Sequence, residues 1–174
     1  AWCEIPPLSP TGLGRDDKKE MKNLDKYWLQ YTIELAKKCP PSDAAFAVGS
    51  AIVGTKGNLL ADGFSRETHL KIHAEESALQ KIKKGEIDIT NATLYCSLEP
   101  CNKRLSKPKG CAELIIESGI KRIVFAAIEP PIFVPGKGSE RLLSAGIIVS
   151  IDHSFERQVI KMQTQTIQRK WDSK

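Results

Sequence analysis

The sequence predicts a three-layer α/β/α domain built around a five-stranded mixed sheet. Short apolar segments alternate with helical ones, which is typical of a layered sheet with helices on both faces. The first two strands follow each other directly as a hairpin, so part of the sheet must be antiparallel. The chain has 174 residues, of which 41% are hydrophobic and 27% charged, and this suits one globular domain.

Each element is placed by the spacing of its apolar residues and by the residues that end it. Apolar residues at helical spacing from Leu24 to Leu35 predict a first helix, which ends near Cys39 because Pro40 and Pro41 cannot continue it. The predicted strands cover 47–53, 58–63, 92–97, 123–127 and 147–151. The other predicted helices cover 73–84, 112–118, 139–145 and 155–170, with glycines at 85 and 119 ending the first two.

The domain organisation and compartment are predicted from composition. Residues 1–20 are rich in proline and then in charge, so we expect an N-terminal extension, with a single domain over 21–174. The sequence contains no run of eighteen apolar residues, so we expect no membrane span, and the first residues lack a secretory pattern. Five unevenly spaced cysteines favour a reducing, cytoplasmic compartment over a disulfide scaffold. The net charge of +5 is mild and suits an anionic small molecule or weak nucleic-acid contact, without deciding between them.

Two short segments carry residues that bind metals. His73 opens one predicted helix, and Cys101 follows Glu99-Pro100, with Cys111 opening another helix after nine intervening residues. Imidazole nitrogen and thiolate sulfur are ligands that zinc prefers, and a catalytic zinc takes three protein ligands and one water. Helix N-termini also favour thiolates over thiols. We therefore predict that His73, Cys101 and Cys111 bind Zn²⁺.

Glu75 lies two positions after the predicted histidine ligand and is the predicted catalytic residue. A carboxylate there could take a proton from a zinc-activated water and pass it to the ring nitrogen and the leaving amine of a substrate. Taken alone, His73-Ala74-Glu75 could be a solvated helix start, and the two cysteines could be buried thiols. Together, in this order and at strand-to-helix turns, they match the His-x-Glu and Pro-Cys pattern of zinc deaminases.

The chain resembles a family, the pyrimidine deaminases of riboflavin biosynthesis within the cytidine-deaminase superfamily. The resemblance runs from about Lys26 to Ile151, and its last stretch is not shared by deaminases in general. The similar stretches are FAVGSAIV at 46–53, GFSRETHLKIHAEESAL at 63–79, ATLYCSLEPC at 92–101 and EPPIFVPGKGSERLLSAGI at 129–147. The resemblance implies a cytidine-deaminase-like fold, a zinc cofactor and a homodimer with its site near the subunit contact.

Within that family the chain is most similar to the fungal-type enzymes. Ser65-Arg66-Glu67 precedes the zinc histidine, and Arg104-Leu105-Ser106 lies in a nine-residue gap between the cysteines. The bacterial enzymes have an eight-residue gap and a Pro-Asn-Pro before the first strand, where this chain has Ala44-Ala45-Phe46. The resemblance therefore implies hydrolytic deamination of 2,5-diamino-6-ribitylamino-4(3H)-pyrimidinone 5′-phosphate, with release of ammonia.

The predicted contacts to this phosphorylated pyrimidine are mostly basic. Four cations, at positions 103, 104, 107 and 109, lie between the two zinc cysteines, although a solvated basic loop is the alternative interpretation. Arginine forms a planar clamp for phosphate, whereas lysine offers a point charge. The predicted substrate-binding residues are Arg66, Ala74, Arg104 and Lys107.

Three other functions stay open from the sequence. A zinc deaminase could act on another free pyrimidine nucleotide or nucleoside, or on a nucleic-acid base, as tRNA adenosine deaminases do. Nucleic-acid binding is disfavoured because aromatic residues make up only 6% of the chain and those near Trp28 have core spacing. A non-catalytic zinc module would usually have four protein ligands, and the sequence offers no obvious fourth.

Overall fold

The structure, a computed structural model, describes residues 15–82, 87–104, 106–132 and 137–172. Its helices are α1 (Arg15–Ala36), α2 (Ala74–Lys81), α3 (Cys111–Ser118), α4 (Gly138–Ser144) and α5 (Glu156–Asp172), with a 3₁₀ turn at His153–Phe155 before α5. Its strands are β1 (Gly49–Val53), β2 (Leu59–Phe64), β3 (Thr93–Cys96), β4 (Arg122–Phe125) and β5 (Ile148–Ile151). Every predicted helix and strand is therefore present.

The main difference from the sequence-based prediction is the start of α1. The helix begins at Arg15, so residues 15–20 of the predicted extension are helical, and residues 1–14 lie outside the described range. The first turns are mostly charged and exposed, and such turns carry no apolar periodicity that could mark them. At the end of α2 the predicted Gly85 also lies outside the described residues.

The five strands form one mixed sheet in the order β2-β1-β3-β4-β5. Strand β1 is antiparallel to both of its neighbours, whereas β3, β4 and β5 are parallel. The predicted mixed sheet is thus confirmed. A register shift between Ile52 and Val53 interrupts the pairing of β1 with β2.

The side chains of the central strands alternate between two cores, as expected for a sheet covered on both faces. One core joins the sheet to α2, α3 and α4, and it includes Ile52, Leu94, Cys96, Ile123 and Phe125. The other joins the sheet to α1 and α5, and it includes Ala51, Val53, Tyr95 and Val124. The predicted three-layer α/β/α arrangement is confirmed.

Two glycines allow helices to lie close to the sheet. A Cβ atom at Gly49 would lie 2.0 Å from the carbonyl oxygen of Thr32 in α1. A Cβ atom at Gly63 would lie 2.6 Å from the carbonyl oxygen of Ala74, at the start of α2. Any larger residue at Gly63 would push the first turn of α2 away from β2.

The strand registers bring the ends of several strands to one edge of the sheet. Gly49 pairs with Phe64 in β2, Ser50 pairs with Cys96 in β3, and Cys96 pairs with Phe125 in β4. The segments that follow β2, β3 and β4 therefore all leave the sheet at this edge, where ligands of open α/β sheets usually bind. Among the helices in the described ranges, none combines the length and apolar character needed to cross a membrane.

Candidate active site

The three predicted zinc ligands converge at this edge. His73 caps the N-terminus of α2 with extended backbone angles, and Cys111 is the first residue of α3. The Nδ1 atom of His73 lies 3.6 Å from Sγ of Cys101 and 3.4 Å from Sγ of Cys111. All three ligand atoms lie within 4.8 Å of one another, and both cysteines are buried.

This geometry fits a zinc ion. A tetrahedral zinc with bonds of about 2.1 Å to nitrogen and about 2.3 Å to sulfur would hold those atoms about 3.6 Å apart. Within the described ranges, no fourth histidine, cysteine or carboxylate joins the group. Three protein ligands leave one position for water or substrate, which is the arrangement of a catalytic rather than a structural zinc site.

The polypeptide favours the thiolate form of Cys101. Hydrogen bonding with Cys111, opposed by burial and reinforced by the hydrogen bond and charge of His73, lowers the pKa of Cys101 to about 4. The backbone N–H of Cys111 donates to Sγ of Cys101 at 3.4 Å, and that of Ala112 donates to the carbonyl of Cys101 at 3.1 Å. The start of α3 therefore both positions and stabilises a ligand that must be deprotonated to bind zinc.

Glu75 lies in the first turn of α2, two residues after the histidine ligand. Its side chain is buried, and burial, together with the negative charge of Cys101, raises the pKa of Glu75 above its usual value. It also lines the pocket described below. A buried carboxyl group beside a metal site, open to a pocket, is placed to exchange protons with a bound molecule.

A pocket of about 560 Å³ opens over His73, Glu75 and Cys101. Four parts of the chain line it, within 41–48, 65–75, 98–106 and 129–132. Its volume is in the range of sites for small-molecule ligands. The candidate metal site thus lies in the wall of a cavity large enough for a substituted pyrimidine.

The loop between the two cysteines is tied to α2 by a partly buried ion cluster. Glu76 accepts hydrogen bonds from Nη1 of Arg104 at 2.9 Å and from Nζ of Lys107 at 2.6 Å. Nε of Arg104 donates to the carbonyl of Lys109 at 2.7 Å. These cations, predicted as substrate contacts, therefore have a protein partner. The structure places Arg104 on the pocket wall as well.

Two of the predicted substrate-binding residues do not line the pocket. Lys107 lies on the side of the loop that faces Glu76. Ala74 is fully buried at the start of α2, against Gly63. Both lie beside residues of the site rather than in the pocket wall.

Arg66 lines the pocket, but its guanidinium group forms hydrogen bonds with backbone carbonyls of the protein. Nε donates to the carbonyl of Pro40 at 2.9 Å, and Nη1 donates to the carbonyls of Phe46 at 2.9 Å and Ala45 at 3.4 Å. Its own N–H donates to the carbonyl of Ile72 at 2.9 Å, and its φ of 64° lies in the left-handed region. Arg66 therefore links one pocket wall to the segment that leads into His73.

Glu99 holds another wall in place, a role that only its position before Pro100 could have indicated from the sequence. Its carboxylate accepts hydrogen bonds from the backbone N–H of Ser139 at 2.9 Å, from the Ser139 hydroxyl at 2.6 Å and from the N–H of Glu129 at 3.2 Å. A Cβ atom at Gly138 would lie 1.6 Å from the carbonyl oxygen of Pro100. The start of α4 and Glu129 are thus fixed beside the zinc cysteine.

Two pocket-lining lysines were not among the predicted contacts. Lys71 and Lys103 are exposed and line the pocket from different segments. Neither ammonium group forms a salt bridge with any residue that the structure describes. In contrast to Arg104 and Lys107, they remain available to an anionic ligand.

Comparison with known proteins gives consistent matches. A family model of the cytidine and deoxycytidylate deaminase zinc-binding region matches residues 22–127, well over half of the chain. A diaminohydroxyphosphoribosylamino-pyrimidine deaminase of Schizosaccharomyces pombe is 38% identical over 141 residues, which cover 80% of this chain and 34% of the relative. A protein of the same name from Buchnera aphidicola is 32% identical over 131 residues, which cover 73% of this chain and 83% of the relative.

Solved structures agree with these matches. The diaminohydroxyphosphoribosylaminopyrimidine deaminase/5-amino-6-(5-phosphoribosylamino)uracil reductase of Thermotoga maritima superposes with a TM-score of 0.73 and 31% sequence identity. The match covers 88% of this chain and 43% of that one. The present chain spans about a third of the length of its S. pombe relative.

The geometry predicts one zinc ion per chain. Cys111→Ser should lower the zinc content of the purified protein well below one equivalent, because a neutral hydroxyl is a poor substitute for a buried thiolate. Cys39→Ser is the matched control, since the Cys39 thiol donates a hydrogen bond to the carbonyl of Val48 and is not one of the grouped ligands. Metal analysis by mass spectrometry measures both. Equal zinc content in the two variants would contradict the assigned ligand.

Proposed function

Because the chain belongs to the zinc-binding cytidine and deoxycytidylate deaminase family, we propose that it is a hydrolytic deaminase of an aminopyrimidine phosphate. The proposed substrate is 2,5-diamino-6-ribitylamino-4(3H)-pyrimidinone 5′-phosphate, an intermediate of riboflavin biosynthesis. The observation that carries this proposal is the grouping of His73, Cys101 and Cys111 beside a pocket that His73, Cys101 and buried Glu75 line. The relatives from S. pombe and B. aphidicola, both named as pyrimidine deaminases, support the substrate class.

The proposed chemistry replaces an exocyclic amine by oxygen. Zinc bound to His73, Cys101 and Cys111 would supply an activated water as the nucleophile. Glu75 takes a proton from the attacking water and delivers it to the ring nitrogen, and it then passes the second proton to the amine. The carbon–nitrogen bond breaks, ammonia leaves, and a ring carbonyl forms. A raised pKa makes the Glu75 carboxylate a better proton acceptor, as this role requires.

The proposal also specifies the form of the sugar chain, which is either ribityl or ribosyl. The two curated relatives are named for a phosphoribosylamino pyrimidine. The Ser65-Arg66-Glu67 segment and the nine-residue gap between the cysteines instead resemble the fungal-type enzymes, which act on the reduced, ribityl form. We therefore propose the ribityl compound as the substrate, with the ribosyl compound as the alternative that the assay must compare.

Different cations serve different parts of the site in this proposal. Lys71 and Lys103, which have no carboxylate partner among the described side chains, bind the phosphate. Arg104 contacts the phosphate or the ribityl chain from the pocket wall. Arg66 and Lys107 act indirectly, because Arg66 holds the 40–46 wall and Lys107 holds Glu76.

We also propose that the chain acts as a homodimer in a reducing, cytoplasmic compartment. The dimer rests on the family resemblance alone. The compartment is supported by free thiols at Cys39, Cys96, Cys101 and Cys111, which an oxidising environment would threaten.

Ammonia release from side-by-side substrates tests the function. The zinc-loaded protein should deaminate the ribityl compound at a far higher kcat/KM than the ribosyl compound, cytidine, deoxycytidylate or a tRNA anticodon loop. Preference for the ribosyl compound would reject the fungal-type assignment but keep the pathway. Turnover of only cytidine, deoxycytidylate or tRNA would reject the pathway, and no turnover of any of them would reject the enzyme.

The role of Glu75 predicts a loss of rate without loss of metal. Glu75→Gln should lower kcat by roughly a hundred- to ten-thousand-fold, the usual contribution of a general acid–base group, while zinc content stays at one equivalent. Glu140→Gln, on the exposed side of α4, is the control and should keep full activity. A Glu75→Gln variant with zinc and near-normal kcat would remove Glu75 from the reaction.

The phosphate role of Lys103 predicts an effect that depends on the substrate. Lys103→Ala should raise KM about threefold to tenfold for the phosphorylated pyrimidine, since a charged hydrogen bond is lost, and leave KM for the dephosphorylated form unchanged. Lys56→Ala, in the exposed turn between β1 and β2 at the opposite edge of the sheet, is the matched control. An equal change of KM for both substrates would show that Lys103 does not contact the phosphate.

A further inference from the structure

Glu129 is a pocket-lining acid to which neither the sequence nor the proposed proton transfer assigns a role. It follows β4 and reaches the same sheet edge as the zinc ligands. Its backbone N–H is fixed by the carboxylate of Glu99, so its position in the wall is set by the protein. Its side chain is partly buried and faces the cavity that also contains Glu75 and Cys101.

The carboxyl group of Glu129 has no hydrogen-bond or salt-bridge partner among the residues that the structure describes. Other acids around the pocket do have partners, as Glu99 binds Ser139 and Glu76 binds Arg104. The oxygens of this carboxyl group are open to the pocket, so a bound molecule can reach them and take the place of water. Since it lines the proposed substrate pocket, a bound molecule is the natural partner.

The surroundings of Glu129 favour its neutral form. Burial, and after it the nearby charges of Cys101, Glu75 and Glu99, raises the pKa of Glu129 to about 8. A neutral carboxyl group has an O–H that donates and a carbonyl oxygen that accepts. It can therefore form two hydrogen bonds with a ligand that carries an acceptor and a donor on adjacent atoms.

We propose that Glu129 is a specificity residue that recognises the 4-oxo and 5-amino groups of the pyrimidine. Its O–H donates to the 4-oxo oxygen, and its carbonyl oxygen accepts from the 5-amino group. Pyrimidines with hydrogen at position 5, such as cytidine, lack this donor and leave the Glu129 carbonyl unsatisfied. The inference rests on the proposed function, since it names the feature by which the same site selects its substrate.

Two hydrogen bonds of this kind discriminate strongly between pyrimidines. A pocket built to hydrogen-bond a substrate group rejects the analogue that lacks it, because the protein group then stays buried without a partner. Glu129 would thus separate 5-aminopyrimidines from the more common pyrimidine nucleotides. The zinc ligands and Glu75 would not need to contribute to this choice.

Binding of two deaminated products tests the proposal. The first is 5-amino-6-ribitylamino-2,4(1H,3H)-pyrimidinedione 5′-phosphate, and the second is the same compound with hydrogen at position 5. Calorimetry with the zinc-loaded wild type should give about tenfold or greater preference for the 5-amino product. Glu129→Leu should reduce the preference to near one, whereas Glu129→Gln, which keeps one donor and one acceptor, should retain most of it.

Each other outcome has a defined meaning. If Glu129→Leu keeps the wild-type preference, or if the wild type has none, Glu129 is not the specificity residue, even when the protein deaminates the proposed substrate. If the wild type binds neither product and deaminates neither the ribityl nor the ribosyl compound, the proposed function fails and this inference fails with it. Zinc content and unfolding curves confirm that the variants fold, and Glu129→Ala serves as a second variant without the larger side chain.

Discussion

A zinc ion held by one histidine and two cysteines requires the N-termini of two helices to meet at one edge of the sheet, and the strand pairing brings them there. Since β2 and β3 are both antiparallel to β1, they end at the same edge. Helix α2 starts after β2 with His73, and α3 starts after β3 with Cys111. Gly63 then lets α2 approach the sheet closely enough for its first turn to reach the cysteines.

The segments that form the pocket around this metal site are held in place by polar side chains that bind neighbouring parts of the protein. Arg66 ties the 40–46 wall to the segment before His73, and Glu76 ties the cysteine loop to α2. Glu99 ties the segment after β4 to the Pro100 turn. Irregular segments of this kind hold a defined shape only when buried polar contacts fix them, so these three residues set the shape of the pocket.

The sequence predicted the sheet and the metal site well because both depend on local patterns. Strand alternation, glycine and proline positions and the His-x-Glu and Pro-Cys segments are each read within a few residues. The charged start of α1 at Arg15 carries no such pattern. The carbonyls that bind the guanidinium of Arg66 and the carboxylate that binds Arg104 lie 20–28 positions away, and the position of Glu129 depends on how β4 leaves the sheet. Only the folded chain determines such partners.

Adjacent carboxylates in α2 show how surroundings separate structural from chemical roles. Burial alone raises the pKa of Glu76, but the bonds from Lys107 and Arg104 outweigh it and lower the pKa below the usual value, so Glu76 stays ionised and holds the loop. Burial raises the pKa of Glu75, and the opposing charge of His73 does not offset it. Burial likewise raises the pKa of Glu129. Glu75 and Glu129, whose pKa values burial raises, both line the pocket, whereas Glu76 does not.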